Sequence, residues 1–232
     1  MEQLFYTPDI ATTLALPEDE SQHCVRVLRL KEGDRITITD GKGSFYNAIL
    51  ENTHPKHCQV IITEQLLPKP LWDNFIHIAI APTKNMDRME WFVEKATEIG
   101  INAISCLRCN HSERREINLQ RLNKIAISAM KQSQKATLPQ IDGMTDFIKF
   151  ISREFTGQKM IAHCAESEKQ HIKDIYKPGN DALILIGPEG DFSEEEIKSA
   201  ITYGFTPISL GKSRLRTETA ALTACHTIHL IN

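Results

Sequence analysis

A chain of 232 residues is long enough for one full domain and a smaller companion, and two domains are expected. Its 41% hydrophobic and 25% charged residues exclude a disordered or fibrous chain and allow a packed core. The formal net charge of −3 hides an asymmetry: between Lys84 and Lys135 ten Lys and Arg stand against six Asp and Glu, a local +4 that leaves −7 elsewhere.

That middle stretch could meet phosphates, or it could be the solvated face of ordinary helices. The start, Met1-Glu2-Gln3-Leu4, lacks a basic region followed by an apolar one, and no later run is long enough to cross a bilayer. A cytoplasmic protein with no membrane contact is expected. The cysteines at 24, 58, 106, 109, 164 and 225 are scattered and imply no disulfide framework.

From Leu4 to Leu67 the apolar residues come in short alternating runs, Arg35–Thr39, Tyr46–Leu50 and Gln59–Ile62, which predict β-strands. Asp40-Gly41-Lys42-Gly43 makes a turn between the first two, and a helix from about Pro17 to Leu28 interrupts the strands. A small barrel-like domain over 1–70 follows. Pro68-Lys69-Pro70 reads as a linker, since proline cannot donate to a ladder.

Over 71–232 strands alternate with helices. Strands are predicted at Phe75–Ile80, Ala103–Leu107, Lys159–His163, Ala182–Ile186 and Pro207–Leu210. Helices are predicted at Met86–Glu98, Leu119–Ser133, Asp146–Phe155, Ser193–Tyr203 and Thr217 to about Leu230. Such alternation predicts an α/β domain with a mostly parallel sheet. Met89, Phe92, Val93, Ala96 and Ile99 form one helical stripe that packs on the sheet, and Ser193 to Glu196 fits a capping box.

Two loops stand where open α/β sheets bind ligands, at strand carboxyl ends. Gly187-Pro188-Glu189-Gly190 follows an apolar strand, and Gly211-Lys212-Ser213-Arg214-Leu215-Arg216 follows another and opens onto Thr217-Glu218-Thr219. Each alone could be a tight turn; a pair of them favours a pocket, and two arginines beside a helix start favour an anionic partner. A phosphate-binding P-loop is excluded because Thr206 stands where its first glycine belongs, and no Gly-x-Gly-x-x-Gly follows a strand. Cys106, Cys109 and His111 have metal-like spacing, but no second pair completes a four-ligand site, so no metal is expected. His163 ends a strand and either faces a pocket or is hydrogen-bonded structure.

Three segments resemble the signature motifs of the RsmE methyltransferases of the SPOUT class: Asp87–Gly100, Leu185–Ser193 and Leu210–Ala220. Their order and spacing match that family over nearly the whole chain. The resemblance implies an N-terminal PUA-like β-barrel and a C-terminal SPOUT domain whose parallel sheet ends in a trefoil knot, a rare exception to the rule against threaded chains. It also implies a homodimer that uses S-adenosyl-L-methionine to methylate N3 of a uridine in 16S rRNA, as free RNA or in the small ribosomal subunit.

On that resemblance the cofactor would be held by His163, Ile186, Gly187, Pro188, Glu189, Gly190, Leu210, Gly211, Leu215, Arg216, Thr217 and Thr219. Arg216 would bear on charge developing on the uracil, and Glu218, or secondarily Glu189, would orient the substrate or take its proton. Both glutamates could instead be helix-start carboxylates. Lys84, Arg88, Arg114, Arg115, Lys131 and Lys135 are the expected rRNA backbone contacts. Competing readings are an RNA-binding module without catalysis and a methyltransferase for another rRNA or tRNA nucleotide.

Overall fold

The computed structural model describes residues 3–70, 72–166 and 168–232. The chain divides into two compact units, Met1–Leu71 with Ile127–Leu138, and Trp72–Ala126 with Pro139–Asn232.

In the first unit β1 (Leu4–Tyr6), β2 (Arg35–Thr39), β3 (Phe45–Leu50) and β4 (Val60–Leu66) form a sheet in that order. β1 runs parallel to β2, and the other pairs are antiparallel. Period-two alternation buries Tyr46, Ala48 and Leu50 of β3 in a core with Phe5, Ile10, Leu16, Ile38 and Val60. Between β1 and β2 lie α1 (Ile10–Thr13) and α2 (Glu18–Gln22), the latter continuing as a π-turn over His23–Val27. The single helix expected at 17–28 is therefore split in character: Leu28 N–H donates to the His23 carbonyl at 3.0 Å, one residue further back than in an α-helix.

Residues 127–138 join this unit through specific bonds. The Ala136 carbonyl accepts from Thr39 Oγ1 at 3.1 Å and from Gly43 N–H at 3.0 Å. Lys131 Nζ meets Glu20 Oε1 at 2.5 Å. These contacts are remote in sequence, so no pattern near Pro70 reports them.

The second unit holds β5 (Ile76–Ile80), α3 (Met86–Ile99), β6 (Ala103–Arg108), the start of α4 (Leu119–Gln132), β7 (Gln140–Asp146), α5 (Phe147–Ile151) and β8 (Gln158–Ala162). It continues through β9 (Gln170–His171), α6 (Ile172–Ile175), β10 (Ala182–Ile186), α7 (Glu194–Thr202), β11 (Thr206–Ser209) and α8 (Thr217–Ile231). The seven strands pair in parallel in the order β7-β6-β5-β10-β8-β11-β9. β10 is thus inserted between β5 and β8, and β11 between β8 and β9.

One sheet face, with Ala79, Ala81, Leu183 and Leu185, packs on Phe147, Phe150 and Ile151 of α5 and Ile197 and Ala200 of α7. By strand alternation Ile76, Ile78, Ile80, Ile184 and Ile186 turn to the other face, where α8 meets β5, β10 and α3. Met89, Phe92, Val93 and Ala96 of α3 are buried, as the stripe predicts. The helix starts on Asn85, whose side chain accepts from Asp87 N–H, and stops at Gly100, whose φ of 126° suits glycine.

The helix predicted at 146–155 shrinks to Phe147–Ile151, and the preceding residues form β7, which has no clean alternation and contains Gly143. β7 is held by its pairing with β6, with a register shift between Ser105 and Cys106. β9 and α6 are too short to leave a periodic signal. The capping box at Ser193 forms as expected: Glu196 N–H donates to Ser193 Oγ, and Ser193 N–H donates to Glu196 Oε2.

Candidate active site

Parallel pairing brings the strand carboxyl ends to one edge of the sheet, and the loops after β8, β10 and β11 gather there. A cavity of about 520 Å³ lies between the loops after β8 and β11, within the roughly 300–1,000 Å³ usual for small-molecule sites. Its wall comprises Ala162, His163, Cys164 and Lys169 after β8, then Ile208, Ser209, the loop Leu210–Leu215, and Ala220 of α8. Gly211 turns this loop with φ 123°, a backbone state other residues rarely adopt.

His163 is only 9% exposed, and its Nε2 is shut off from solvent with no hydrogen-bond partner among the described residues. Burial, and secondarily the charge of Lys169, hold its pKa below the usual histidine range, with Asp191 opposing. Asp191 ties two loops together: Oδ2 accepts from Cys164 N–H at 2.7 Å and Oδ1 from Phe192 N–H at 2.8 Å. Its φ of 62° is left-handed, a conformation that aspartate tolerates better than most residues.

The two glycine loops are joined as well. Thr217, the first residue of α8, is buried and donates its hydroxyl to the Gly187 carbonyl at 3.1 Å. Arg216 is the N-cap of α8 and is exposed, with no side-chain capping bond, at the positive end of a 15-residue helix.

Of the twelve residues expected to hold the cofactor, His163, Leu210, Gly211 and Leu215 line the cavity. Ile186, Gly187 and Pro188 are buried at the end of β10. Glu189 is exposed and accepts from Lys84 N–H at 3.0 Å. Gly190 lies against His111, where an added Cβ would come within 3.1 Å of the histidine Cβ. Arg216, Thr217 and Thr219 follow the cavity loop at the head of α8, outside its wall.

Glu218 is 7% exposed. Its Oε1 lies 3.9 Å from Arg88 Nε, while Oε2 is buried without a partner among the described residues. A buried carboxylate oxygen in that state is ready to accept a hydrogen bond or a proton.

The six expected rRNA contacts fall in different settings. Lys84 pairs with Glu113 at 2.8 Å, and the Arg114 guanidinium donates to the carbonyls of Thr83 and Lys84. Arg115 is exposed and, with Arg108, borders a second cavity of about 420 Å³. Lys131, ion-paired with Glu20, and the half-buried Lys135 belong to the first unit, the other four to the second.

Sequence reasoning missed Lys169, Cys164 and Asp191. Lys169 and Cys164 sit in an irregular loop with no motif; Asp191 carried the one usable signal, an aspartate directly after a glycine in a strand-to-helix turn. It also missed the bracing of residues 190–196 by Asn110 and His111. Asn110 N–H donates to Glu196 Oε1 and its Nδ2 to Ser193 Oγ, both at 2.9 Å. Cys106 and Cys109 are buried, and burial pushes the Cys106 thiol up to about 12. Among the described residues there is no cluster fit to hold a metal ion, and no helix is long and apolar enough to cross a membrane.

A family model described as an RNA methyltransferase domain matches residues 70–229, and one described as an RNA methyltransferase PUA domain matches 16–63. The ribosomal RNA small subunit methyltransferase E of Rickettsia conorii is 31% identical over 222 residues, covering 94% of this chain and 90% of the relative. The chain belongs to the RsmE family of RNA methyltransferases. Its α/β domain with the seven-stranded parallel sheet and its N-terminal PUA-like domain are those of RsmE-family structures. A probable rRNA-methyltransferase from Porphyromonas gingivalis is 47% identical with a TM-score of 0.94, covering 99% of this chain and 98% of that one. An RsmE from Neisseria gonorrhoeae, solved bound to S-adenosyl methionine, is 27% identical with a TM-score of 0.89, covering 100% and 98%.

Proposed function

We propose that this chain methylates N3 of a specific uridine in small-subunit 16S rRNA, with S-adenosyl-L-methionine as methyl donor in the cavity between the β8 and β11 loops. The observation that carries the reading is that cavity: a position at the strand carboxyl ends, a glycine-turned loop, and a buried histidine nitrogen that lacks a partner among the described residues. The cofactor fits such a wall, since its adenosine and carboxylate offer acceptors and the apolar Ile208, Leu210 and Leu215 can cover a base.

When bound, the cofactor supplies an electrophilic methyl group on a sulfonium. The protein then has to place the uracil nitrogen in line with that methyl and remove the N3 proton. Glu218, with Oε2 unpaired among the described residues, takes that proton in this reading, and Arg88 at 3.9 Å stabilises the carboxylate before transfer. Arg216, at the helix start, stabilises the negative charge left on the uracil oxygens. Arg115, exposed at the border of the second cavity, is the readier phosphate contact, because Lys84, Arg114 and Lys131 already hold partners within the chain.

In the same reading the C-terminal segments form a trefoil knot, supported by the insertion of β10 and β11 between earlier strands. The active form is a homodimer working in the cytoplasm, as the family resemblance implies.

Calorimetry with S-adenosylmethionine tests the cofactor site. Wild type binds in the micromolar range, and Gly190→Val, which drives a side chain into His111, binds far more weakly. Arg216→Ala keeps cofactor binding and loses methyl transfer. Absence of binding by wild type contradicts the reading.

A further inference from the structure

Lys169 was not foreseen at the cavity, yet its ammonium is placed with unusual completeness. Nζ lies 2.8 Å from the His163 carbonyl, 2.6 Å from the Ala165 carbonyl and 3.4 Å from His163 Nδ1. An ammonium has three protons and accepts nothing, so these three neighbours must all be acceptors. His163 Nδ1 is then the bare nitrogen of a neutral imidazole, and the ring proton sits on Nε2. That Nε2 is the atom buried without a partner among the described residues, in a residue of the cavity wall. A shielded N–H donor with no acceptor is costly, and the cavity is the place from which an acceptor can come.

We propose that Lys169 is a positioning residue that fixes His163 as an Nε2–H donor, so that His163 recognises a hydrogen-bond acceptor, a ring nitrogen or sugar oxygen, of the nucleoside cofactor. The ligand class rests on the cofactor reading above; the tautomer does not. The groups that bear on His163 act in opposite senses: Lys169 from its own loop disfavours the imidazolium, Asp191 from the β10–α7 loop favours it, and Lys212 and Arg214 add positive charge to the same cavity wall.

The test is nitrogen-15 NMR of histidine-labelled protein, with S-adenosylmethionine calorimetry, on wild type, Lys169→Met and Lys169→Arg. Wild-type His163 should show the Nε2–H tautomer at neutral pH. Lys169→Met should give mixed tautomers, a higher His163 titration midpoint, and cofactor binding weakened about five- to tenfold. Lys169→Arg, which keeps a charged donor, should restore most of the tautomer bias. An Nδ1–H tautomer in wild type, or a tautomer and titration indifferent to Lys169→Met, overturns the proposal. A tautomer that follows Lys169 in a protein that binds no S-adenosylmethionine supports the positioning role and overturns the cofactor reading alone.

Discussion

Replacing Asp191 separates two contributions that the structure superimposes there. Its carboxylate accepts from Cys164 N–H at 2.7 Å and Phe192 N–H at 2.8 Å, and its backbone is left-handed at φ 62°. Hydrogen bonds to a charged group contribute about 1.5–3 kcal/mol each when buried; for this half-buried side chain about 1 kcal/mol each is the appropriate scale. A residue with a Cβ and no local polar group adds about 1 kcal/mol of left-handed strain. Asp191→Asn, which retains one oxygen acceptor, should cost about 1 kcal/mol; Asp191→Gly, without strain, about 2; and Asp191→Ala about 3. Urea unfolding followed by tryptophan fluorescence measures this in the right unit, because both tryptophans, Trp72 and Trp91, belong to it. Cofactor affinity should fall in the same order, since the Cys164 bond anchors the cavity wall. Glycine and alanine variants of equal stability would refute the strain argument, and three variants as stable as wild type would refute the cross-link itself.

Ser193→Ala removes the capping bond to Glu196 N–H and the acceptor of Asn110 Nδ2, and should cost about 1–2 kcal/mol in the same unfolding assay. Gly100→Ala puts a Cβ into the Trp72 indole at a backbone φ of 126°, and should destabilise by at least about 2 kcal/mol with a shift in tryptophan emission. His77 is held at a pKa of about 4 against its ordinary 6.5, by burial first, with Arg153 adding to the effect and Asp142 opposing it. Because the folded pKa is the lower one, this unit is at full stability above about pH 6.5 and loses on the order of 3 kcal/mol as pH falls towards 4. The urea midpoint at mildly acid pH measures that loss, and His77→Gln should flatten its slope.

The sequence was most informative where one physical signal acted locally. Ser193 and Glu196 announce a helix start three residues apart, the stripe Met89-Phe92-Val93-Ala96 announces a buried face, and both appear where expected. Gly187 and Gly211 marked the two loops, and the cavity opens on the second of them with His163 in its wall. What escaped depends on contacts between distant segments. β7 exists through pairing with β6 rather than through its own pattern, and 127–138 is drawn to the first unit by Thr39, Gly43 and Glu20. Lys169 gains its role only because the fold places it on carbonyls six and four residues earlier, in a loop whose composition is unremarked. The insertion of β10 and β11 into the sheet is likewise a property of strand order, which hydrophobic periodicity does not encode.

The most direct test of the central claim is to incubate the protein with methyl-labelled S-adenosylmethionine and unmodified small ribosomal subunits or their 16S RNA, then digest the RNA and identify the labelled nucleoside by mass spectrometry. The account predicts label in N3-methyluridine at a single position, lost with Glu218→Gln. Label on a ribose oxygen, on another base, or on no nucleoside at all would contradict it.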